Sequence, residues 1–243
     1  AITAAQATAG GATITLLKDI NTSSYYEVKG ANPVTIDLAG YNITGSGISG
    51  LFYVTAKGDL TIRGEGTVTA VEDNGAAMAV WVRSPIAKVT LEGGTYTQKI
   101  TNTADPHFDL IYVERGNVYV KGGTYKGATP DWTLNCKDEH YQSKEANIEV
   151  TGGTFQNFDP MNNQAEGKGT SFVNAGVGVD YVDGKFTAKS GMIAQVVDAD
   201  GKSVQAFDKL SDALTAAKAG QTVKLLADAT EDVVINKSIT LDL

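Results

Sequence analysis

The chain has 243 residues, of which 27 are glycine, 5 are proline and 20% are charged. Its formal net charge of -8 disfavours binding to nucleic acid or to an anionic membrane surface. No apolar run reaches the length of a membrane-spanning helix. The single cysteine, Cys136, excludes an internal disulfide, and we predict that it is a buried, small apolar residue.

An alanine-rich stretch opens the chain at residues 4–9, and two β-prone runs follow it. The first run, at residues 11–19, contains Thr-Ile-Thr-Leu-Leu-Lys-Asp, and the second, at residues 34–38, reads Val-Thr-Ile-Asp-Leu. Both runs predict strands. The alanine-rich stretch predicts a short helix that covers the first coil, because an uncapped coil exposes apolar core and unpaired strand edges.

Three near-copies of a strand–corner–strand unit occupy the middle of the chain. They read VTLEGGTY at 89–96, VYVKGGTY at 118–125 and IEVTGGTF at 148–155, and a looser copy, LTIRGEGTV, lies at 60–68. From Gly66 to Gly94, Gly123 and Gly153 the steps are 28, 29 and 30 residues. A period in this range is typical of a solenoid, in which each unit buries its apolar edge on the next.

Apolar and polar residues alternate within the unit, as in a half-buried strand. The glycine pair is suited to a positive φ or to close approach of the next coil. We expect Tyr96, Tyr125 and Phe155 to stack on one another, and residues 78–82 and 108–113 to add a third short strand per coil. The unit has neither a helical period nor a Leu-x-x-Leu-x-Leu pattern, which argues against ankyrin, tetratricopeptide and leucine-rich repeats. The prediction is an all-β parallel β-helix.

The region after the last unit predicts a different local structure. Residues 157–160, Asn-Phe-Asp-Pro, indicate a turn that ends the stack, and residues 178–187 predict a β-hairpin with Asp183-Gly184 as its turn. An amphipathic helix is predicted over 208–218, with Asp208 as its N-cap and an apolar face that contains Leu210, Leu214 and Ala217.

The opening runs recur near the C-terminus. Residues 220–228 align with 11–19 at an offset of 209, and residues 239–243 align with 34–38 at an offset of 205. We therefore divide the chain into a β-helix module with an N-terminal cap (1–192) and a linker strand, capping helix and first strands of a second, incomplete module (193–243). Leu243 falls in mid-strand by this alignment. Either the chain is part of a longer repetitive protein, or its Leu243 end stacks head-to-tail on another copy.

Several of these segments resemble a known architecture. Residues 134–141, 148–160 and 162–172 look like a recurrent right-handed β-helix module of large surface proteins of gut bacteria and of their phages. The opening runs are similar to the first coils of pectate-lyase-like β-helices. The resemblance implies a right-handed parallel β-helix solenoid with short alanine-rich capping helices. It also implies an extracellular location, at a cell surface or on a virion.

A catalytic site on such a fold would lie on a long loop over a strand face. Two loops qualify, at 98–109 and 129–146. By resemblance, lyases of the fold use a carboxylate-bound Ca²⁺ with an Arg or Lys base, here Arg115 or Lys137, and hydrolases use a carboxylate pair. If the chain is an enzyme, the candidate catalytic residues are Asp105, His107, Asp109, Asp138, Glu139 and His140.

A non-catalytic interpretation is favoured. Asp and Asn shape turns without any chemical role, arginine is scarce, and no zinc-binding spacing occurs. His140 beside Asp138 and Glu139 is expected to belong to an exposed loop cluster. Aromatic side chains suggest carbohydrate binding by stacking on sugar rings, with Trp132, Tyr141 and Tyr112 as the ligand-binding candidates. The alternation leaves open which way Trp81 faces.

The sequence therefore predicts a structural or adhesive β-helix module of an extracellular repetitive surface or virion fibre protein. No cofactor and no metal are expected. Expected partners are a cell-surface glycan or a host protein, with no nucleic acid and no membrane insertion. The alternative is a polysaccharide-binding or polysaccharide-degrading module.

Overall fold

A computed structural model describes residues 1–101 and 108–243. It is mostly β, with 45% strand and 9% helix, and its parallel sheets stack as a β-solenoid of about four turns. The predicted fold class is therefore confirmed.

Within residues 1–101 and 108–243, the elements fall into three sheets and a few short helices. Sheet A comprises β1 (Ala12–Thr15), β3 (Tyr26–Val28), β4 (Val34–Asp37), β6 (Phe52–Val54), β7 (Asp59–Arg63), β9 (Val80–Leu91), β11 (Ile111–Val120), β13 (Leu134–Cys136) and β14 (Ala146–Val150). Sheet B comprises β2 (Ile20–Thr22), β5 (Ile43–Ser46), β8 (Thr67–Val71), β10 (Thr95–Lys99), β12 (Thr124–Lys126), β15 (Gly153–Gln156), β16 (Val177–Val182) and β17 (Lys185–Ser190). Sheet C comprises β18 (Ala194–Val197), β19 (Ser203–Phe207), β20 (Thr222–Leu225) and β21 (Thr240–Asp242). The helices are α1 (Ile2–Ala7), α2 (Asp138–Gln142) and α3 (Leu210–Ala216), with a 3₁₀ turn at Pro130–Trp132.

The repeated units stack in register. Val118 of β11 pairs with Val89 of β9 on one side and with Ile148 of β14 on the other. In sheet B, Tyr125 lies between Tyr96 and Phe155 with ring centroids 5.0 Å apart on each side and interplanar angles of 4° and 15°. All three rings are buried. The predicted aromatic stack is thus confirmed.

The predicted third strand of each coil is present, but it continues into the first strand of the next coil. Residues 80–82 and 87–91 belong to one long strand, β9, and β11 is built in the same way. Their pairing register shifts around Arg115. This irregularity turns the strand from one face of the solenoid to the next without a separate corner.

The glycine corners hold the coils close together. The backbone N–H of Thr124 donates to Gly94 O at 2.9 Å, and that of Thr154 donates to Gly123 O at 2.9 Å. Gly123 has a φ of 91°, and a Cβ placed there would lie 2.9 Å from Gly94 O. A side chain at this position would therefore meet both backbone strain and the backbone of the preceding coil.

Parallel stacking ends after β15. Asn157 has a φ of 54°, and Phe158 turns inward, where its ring packs 5.9 Å from that of Phe155. The β16–β17 hairpin then pairs antiparallel to β15. Its turn residues are Asp183 and Gly184, both with positive φ, as predicted.

The helix α3 packs on sheet C through the predicted face: Leu210, Leu214 and Ala217 are buried. The predicted N-cap is wrong. The helix begins at Leu210, and the Glu231 carboxylate accepts hydrogen bonds from the backbone N–H groups of Leu210 and Ser211 at 2.8 and 3.1 Å. A carboxylate from a later loop thus satisfies the helix N-terminus in place of Asp208.

Two apolar clusters occupy the interior. One extends from Ala5 to Ala188 through the coil stack, and the other joins α3 to sheet C. The boundary at residue 192 stays a prediction. Cys136 is buried, as expected. Within the described ranges, no helix is both long and apolar enough to cross a membrane.

Candidate functional site

A column of aromatic side chains runs along the outside of sheet A. Strand pairing places Tyr53 beside Trp81, Trp81 beside Tyr112, and Tyr112 beside Asn135. The residues on either side of each ring, such as Val80 and Val82, are fully buried. Because successive side chains on a strand point to opposite faces, the aromatic rings face outward. This decides the orientation of Trp81 that alternation alone left open.

The rings of the column contact one another. Tyr25 meets Tyr53 edge-on at 5.8 Å, Tyr53 lies 5.1 Å from Trp81, and Trp81 lies 6.2 Å from Tyr112. Arg83 holds the middle of the column: its guanidinium lies 5.3 Å from the Trp81 ring centroid and donates to Tyr53 Oη at 3.2 Å. Such contacts keep flat apolar faces in a fixed array at the surface.

The column ends at an open cavity of about 370 Å³. The lining residues are Asp109, Tyr112, Trp132, Asn135, Cys136, Lys137, Asp138 and Glu139. Trp132 lies in the 3₁₀ turn that begins at Pro130, whose fixed φ suits this position. The turn sets the half-buried Trp132 ring at the rim of the cavity, next in space to the column.

Two carboxyl groups at this end are partly withdrawn from water. Burial raises the pKa of Asp109 to about 6, although its Oδ1 accepts a hydrogen bond from Asn135 Nδ2 at 2.7 Å. Burial also raises the pKa of Glu166 to about 7, opposed by the Cys136 backbone N–H and assisted by the charges of Asp138 and Asp109. Desolvation disfavours the charged form of a carboxyl group. Burial therefore favours the protonated form of both carboxyl groups relative to water.

Three buried polar atoms near the column have no hydrogen-bond partner among the described residues: Trp81 Nε1, Asn135 Oδ1 and Glu166 Oε2. An unpaired buried donor or acceptor costs about 1–3 kcal/mol.

His140 has a structural role rather than the exposed position expected from the sequence. Its side chain is buried, its Nδ1 lies 2.6 Å from Glu114 O, and its Nε2 accepts from Arg115 Nε at 3.0 Å. Nδ1 therefore carries the proton, and both ring nitrogens are engaged. The ring fixes α2 to the preceding coil.

The basic candidates near His140 are paired with carboxylates. Arg115 Nε lies 3.2 Å from Glu145, and Lys137 Nζ lies 2.7 Å from Glu139. The Lys137 ammonium in turn holds the pKa of Glu139 below its usual range. Each of the two candidate bases is thus engaged by a carboxylate of the protein, whereas proton abstraction from a uronate needs a base within reach of the substrate proton.

The remaining sequence candidates are distributed more widely. Tyr141 packs edge-on against Phe172 at 6.0 Å and lines a separate surface depression with Glu166. Asp105 and His107 lie outside the described residues. In the part of the chain that the structure describes, no group of three or more His, Cys, Asp or Glu side chains is arranged to hold a metal ion.

The sequence did not identify Glu166 or Asn135, nor did it show that Tyr53 and Trp81 join Tyr112 in one aromatic column. One available signal was the spacing of Tyr53, Trp81 and Tyr112, which are 28 and 31 residues apart and so recur at the coil period. No signal marked Glu166, because its loop lies beyond the last unit and reaches back to Cys136 only in three dimensions.

Comparison with known proteins adds no relative: no family model, no curated protein and no solved structure matches this chain.

Proposed function

We propose that the chain is a rigid, adhesive β-solenoid module of an extracellular surface or fibre protein, and that it binds a glycan through the outward aromatic column. The observation that carries the proposal is the unbroken contact of Tyr53, Trp81 and Tyr112 along three successive coils. Sugar rings stack on flat aromatic faces. Coils follow one another at the strand spacing of about 4.8 Å, so the column presents a binding surface along the solenoid axis.

The two ends of this surface differ, because the end at Tyr112 adjoins a cavity with acidic side chains. Asp109 lines the cavity together with the Tyr112 and Trp132 rings and supplies a hydrogen-bond acceptor beside them, which is the combination that recognises sugar hydroxyls. The formal net charge of -8 opposes acidic polysaccharides. We therefore propose a neutral glycan as the ligand, displayed at a cell surface.

A second candidate, glycan hydrolysis, is favoured by two partly buried carboxyl groups near the end of the column: Asp109, which lines the cavity, and Glu166, which lines the separate depression beside Tyr141. Retaining and inverting glycosidases pair one protonated carboxylic acid with one carboxylate. A carboxyl group whose pKa is raised towards neutral can serve as the acid of such a pair, and burial raises the pKa of Asp109 to about 6 and that of Glu166 to about 7.

A glycan array with the whole chain separates these functions. For each retained neutral glycan, calorimetry is repeated with Trp81→Ala and with Tyr119→Ala, which removes an outward ring from the same sheet but outside the column. We expect at least a fivefold weaker affinity for Trp81→Ala and no change for Tyr119→Ala. Equal effects of the two variants, or no retained glycan at all, contradict adhesion through the column.

The same samples test catalysis. New reducing ends that vanish in Glu166→Gln indicate a hydrolase, and unsaturated uronate products indicate a lyase. Retention without products indicates binding alone.

A further inference from the structure

The two copies of the opening runs fold alike in detail. In the first copy, Thr13 of β1 pairs with Thr35 of β4; in the second, Thr222 of β20 pairs with Thr240 of β21. These pairs are related by the offsets of 209 and 205 found in the sequence. The register of the two parallel pairs is therefore the same.

The helix that precedes each copy is held in the same way. Asn32 Nδ2 donates to Gln6 O at the end of α1, at 2.8 Å. Lys237, at the position equivalent to Asn32, donates to Thr215 O, at the position equivalent to Gln6. Helix, strand pair and helix C-terminal contact thus form one recurring unit.

The copies differ at one edge. In the second copy, β20 pairs on its outer side with β18 in antiparallel register, with Val196 opposite Val223 and Gln195 opposite Lys224. In the first copy, β1 pairs with β4 and with no other strand of the described residues. The backbone N–H groups of Ala12 and Leu16 point to β4, so those of Thr13 and Thr15 point to the free edge.

The first copy also leaves apolar surface uncovered. In α3, the side chains of Ala213 and Leu214 pack against Ala194 and Val196 of β18 and are buried. In α1, Ala5 is buried, but Ala4, which is equivalent to Ala213, is exposed. A cavity of about 620 Å³ opens at the same end, and its lining includes the apolar side chains of Ile2, Ile14 and Leu16 together with Glu27 and Lys29 at the polar side.

We infer that the free edge of β1, together with the adjoining face of α1, binds an antiparallel β-hairpin of the β18–β19 kind. The repeat specifies the register: the offset of 209 places Val196 of such a hairpin opposite Ile14, and Gln195 opposite Thr15. Strand addition at an open edge supplies backbone hydrogen bonds, and the side chains that face the helix supply specificity.

The hairpin already joins two parts of this chain. Gln195 is fully buried, and its side chain bonds to both the N–H and the C=O of Val179 in β16, at 2.7 and 2.9 Å. The β18–β19 hairpin therefore contacts the end of the coil stack through Gln195 and pairs with β20, the first strand of the next unit, through β18. Docking of an equivalent hairpin on β1 would connect successive solenoids into a continuous rod. The inference does not depend on glycan binding.

The test is an extended chain in which a copy of residues 193–209 precedes Ala1, a fusion that reproduces the spacing between β19 and α3. Amide hydrogen exchange is followed residue by residue by NMR. We expect the amides of Thr13 and Thr15 to exchange at least tenfold more slowly than in the original chain. The matched control carries Ala194→Asp and Val196→Asp within the added copy, which removes the apolar side that faces the helix, and we expect it to restore fast exchange.

Unprotected Thr13 and Thr15 amides in a folded extended chain, or equal protection in the control, would overturn the inference. If the extended chain does not fold, a synthetic peptide of residues 193–209 is added to the original chain instead. Chemical-shift changes centred on residues 13–17 with this peptide, and not with the doubly substituted one, support the inference. Equal changes with both peptides, or none with either, contradict it.

Discussion

The coil stack, residues 12–156, and the junction that follows it, residues 157–209, are stabilised in different ways. In the stack, positions such as Val89, Val118 and Val120 are fully buried and apolar, and each pairs with like residues above and below. In the junction, buried polar groups specify the contacts: Gln195 bonds to Val179, and Asp159 bonds to Ser203 at 2.8 Å. Repetition sets register in the first region, and single hydrogen-bond pairs set it in the second.

The coil stack and the junction are therefore expected to tolerate substitutions to different degrees. Each inward column repeats similar residues from coil to coil, and these residues contact one another. A charge introduced in one coil therefore disturbs the neighbouring coils. A polar pair in the junction has no duplicate, so its loss affects one contact.

Val118→Asp places a charge in the fully buried column of the stack. We expect a loss of more than about 4 kcal/mol in the free energy of unfolding, enough to unfold adjacent coils, because an unpaired buried charge is very costly. The control is Asn117→Asp, an isosteric change at the neighbouring half-buried position beside Lys88. Thermal melting that is the same for both variants would refute the inside–outside assignment of β11.

Gln195→Ala removes the side chain that bonds to Val179 in the junction. We expect a loss of about 2–3 kcal/mol, because the Val179 N–H and C=O are left buried and unpaired. Hydrogen exchange should increase around β16 and β18 while β10 and β12 stay protected. Gln205→Ala, an exposed change on the neighbouring strand, serves as the control and should leave exchange unaltered. Faster exchange throughout the stack would mean that the junction is not energetically separate.

The smallest effect concerns the two partly buried carboxyl groups near the end of the aromatic column, Asp109 and Glu166. Burial raises the folded-state pKa of Asp109 to about 6 and that of Glu166 to about 7, above the unfolded values near 4. The folded state then binds more protons than the unfolded state between these values, so stability falls as the pH rises from about 4 to about 7. Their contribution is present in full below pH 4 and is lost above pH 7.

The double variant Asp109→Asn with Glu166→Gln keeps one acceptor oxygen at each position, for Asn135 Nδ2 and for the Cys136 N–H. It has no carboxyl group there to bind a proton, so its stability loses this dependence on pH. We expect the wild type to lose about 2 kcal/mol more than the variant between pH 5 and pH 8, a figure reduced for the partial exposure of Glu166. Chemical denaturation at both pH values measures the difference. The exposed Asp131→Asn change should follow the wild type, and parallel pH profiles for wild type and double variant would contradict the burial of the two carboxyl groups.

Much of the stack was predictable because its information is local and repeated. The Gly-Gly corners, the alternating valines and the aromatic position after each corner all recur at one period, and each copy supports the interpretation of the others. The hairpin turn at Asp183-Gly184 was predictable for a similar reason, since two adjacent residues that accept positive φ define it. The N-cap of α3 was not, because Glu231 reaches the helix from 20 residues away.

The period, the inward columns and the duplicated opening runs can be read from the residues alone, because strand alternation and close coil contact impose these patterns on neighbouring residues. Which outward residues meet depends on how the coils stack. Tyr53, Trp81 and Tyr112 form one column because β6, β9 and β11 pair in that register, and Glu166 reaches Cys136 because its loop folds back over the last coil. Core packing does not constrain outward positions, so the recurrence of the three aromatic residues at the coil period gains its meaning only when the stacked coils bring the rings into contact.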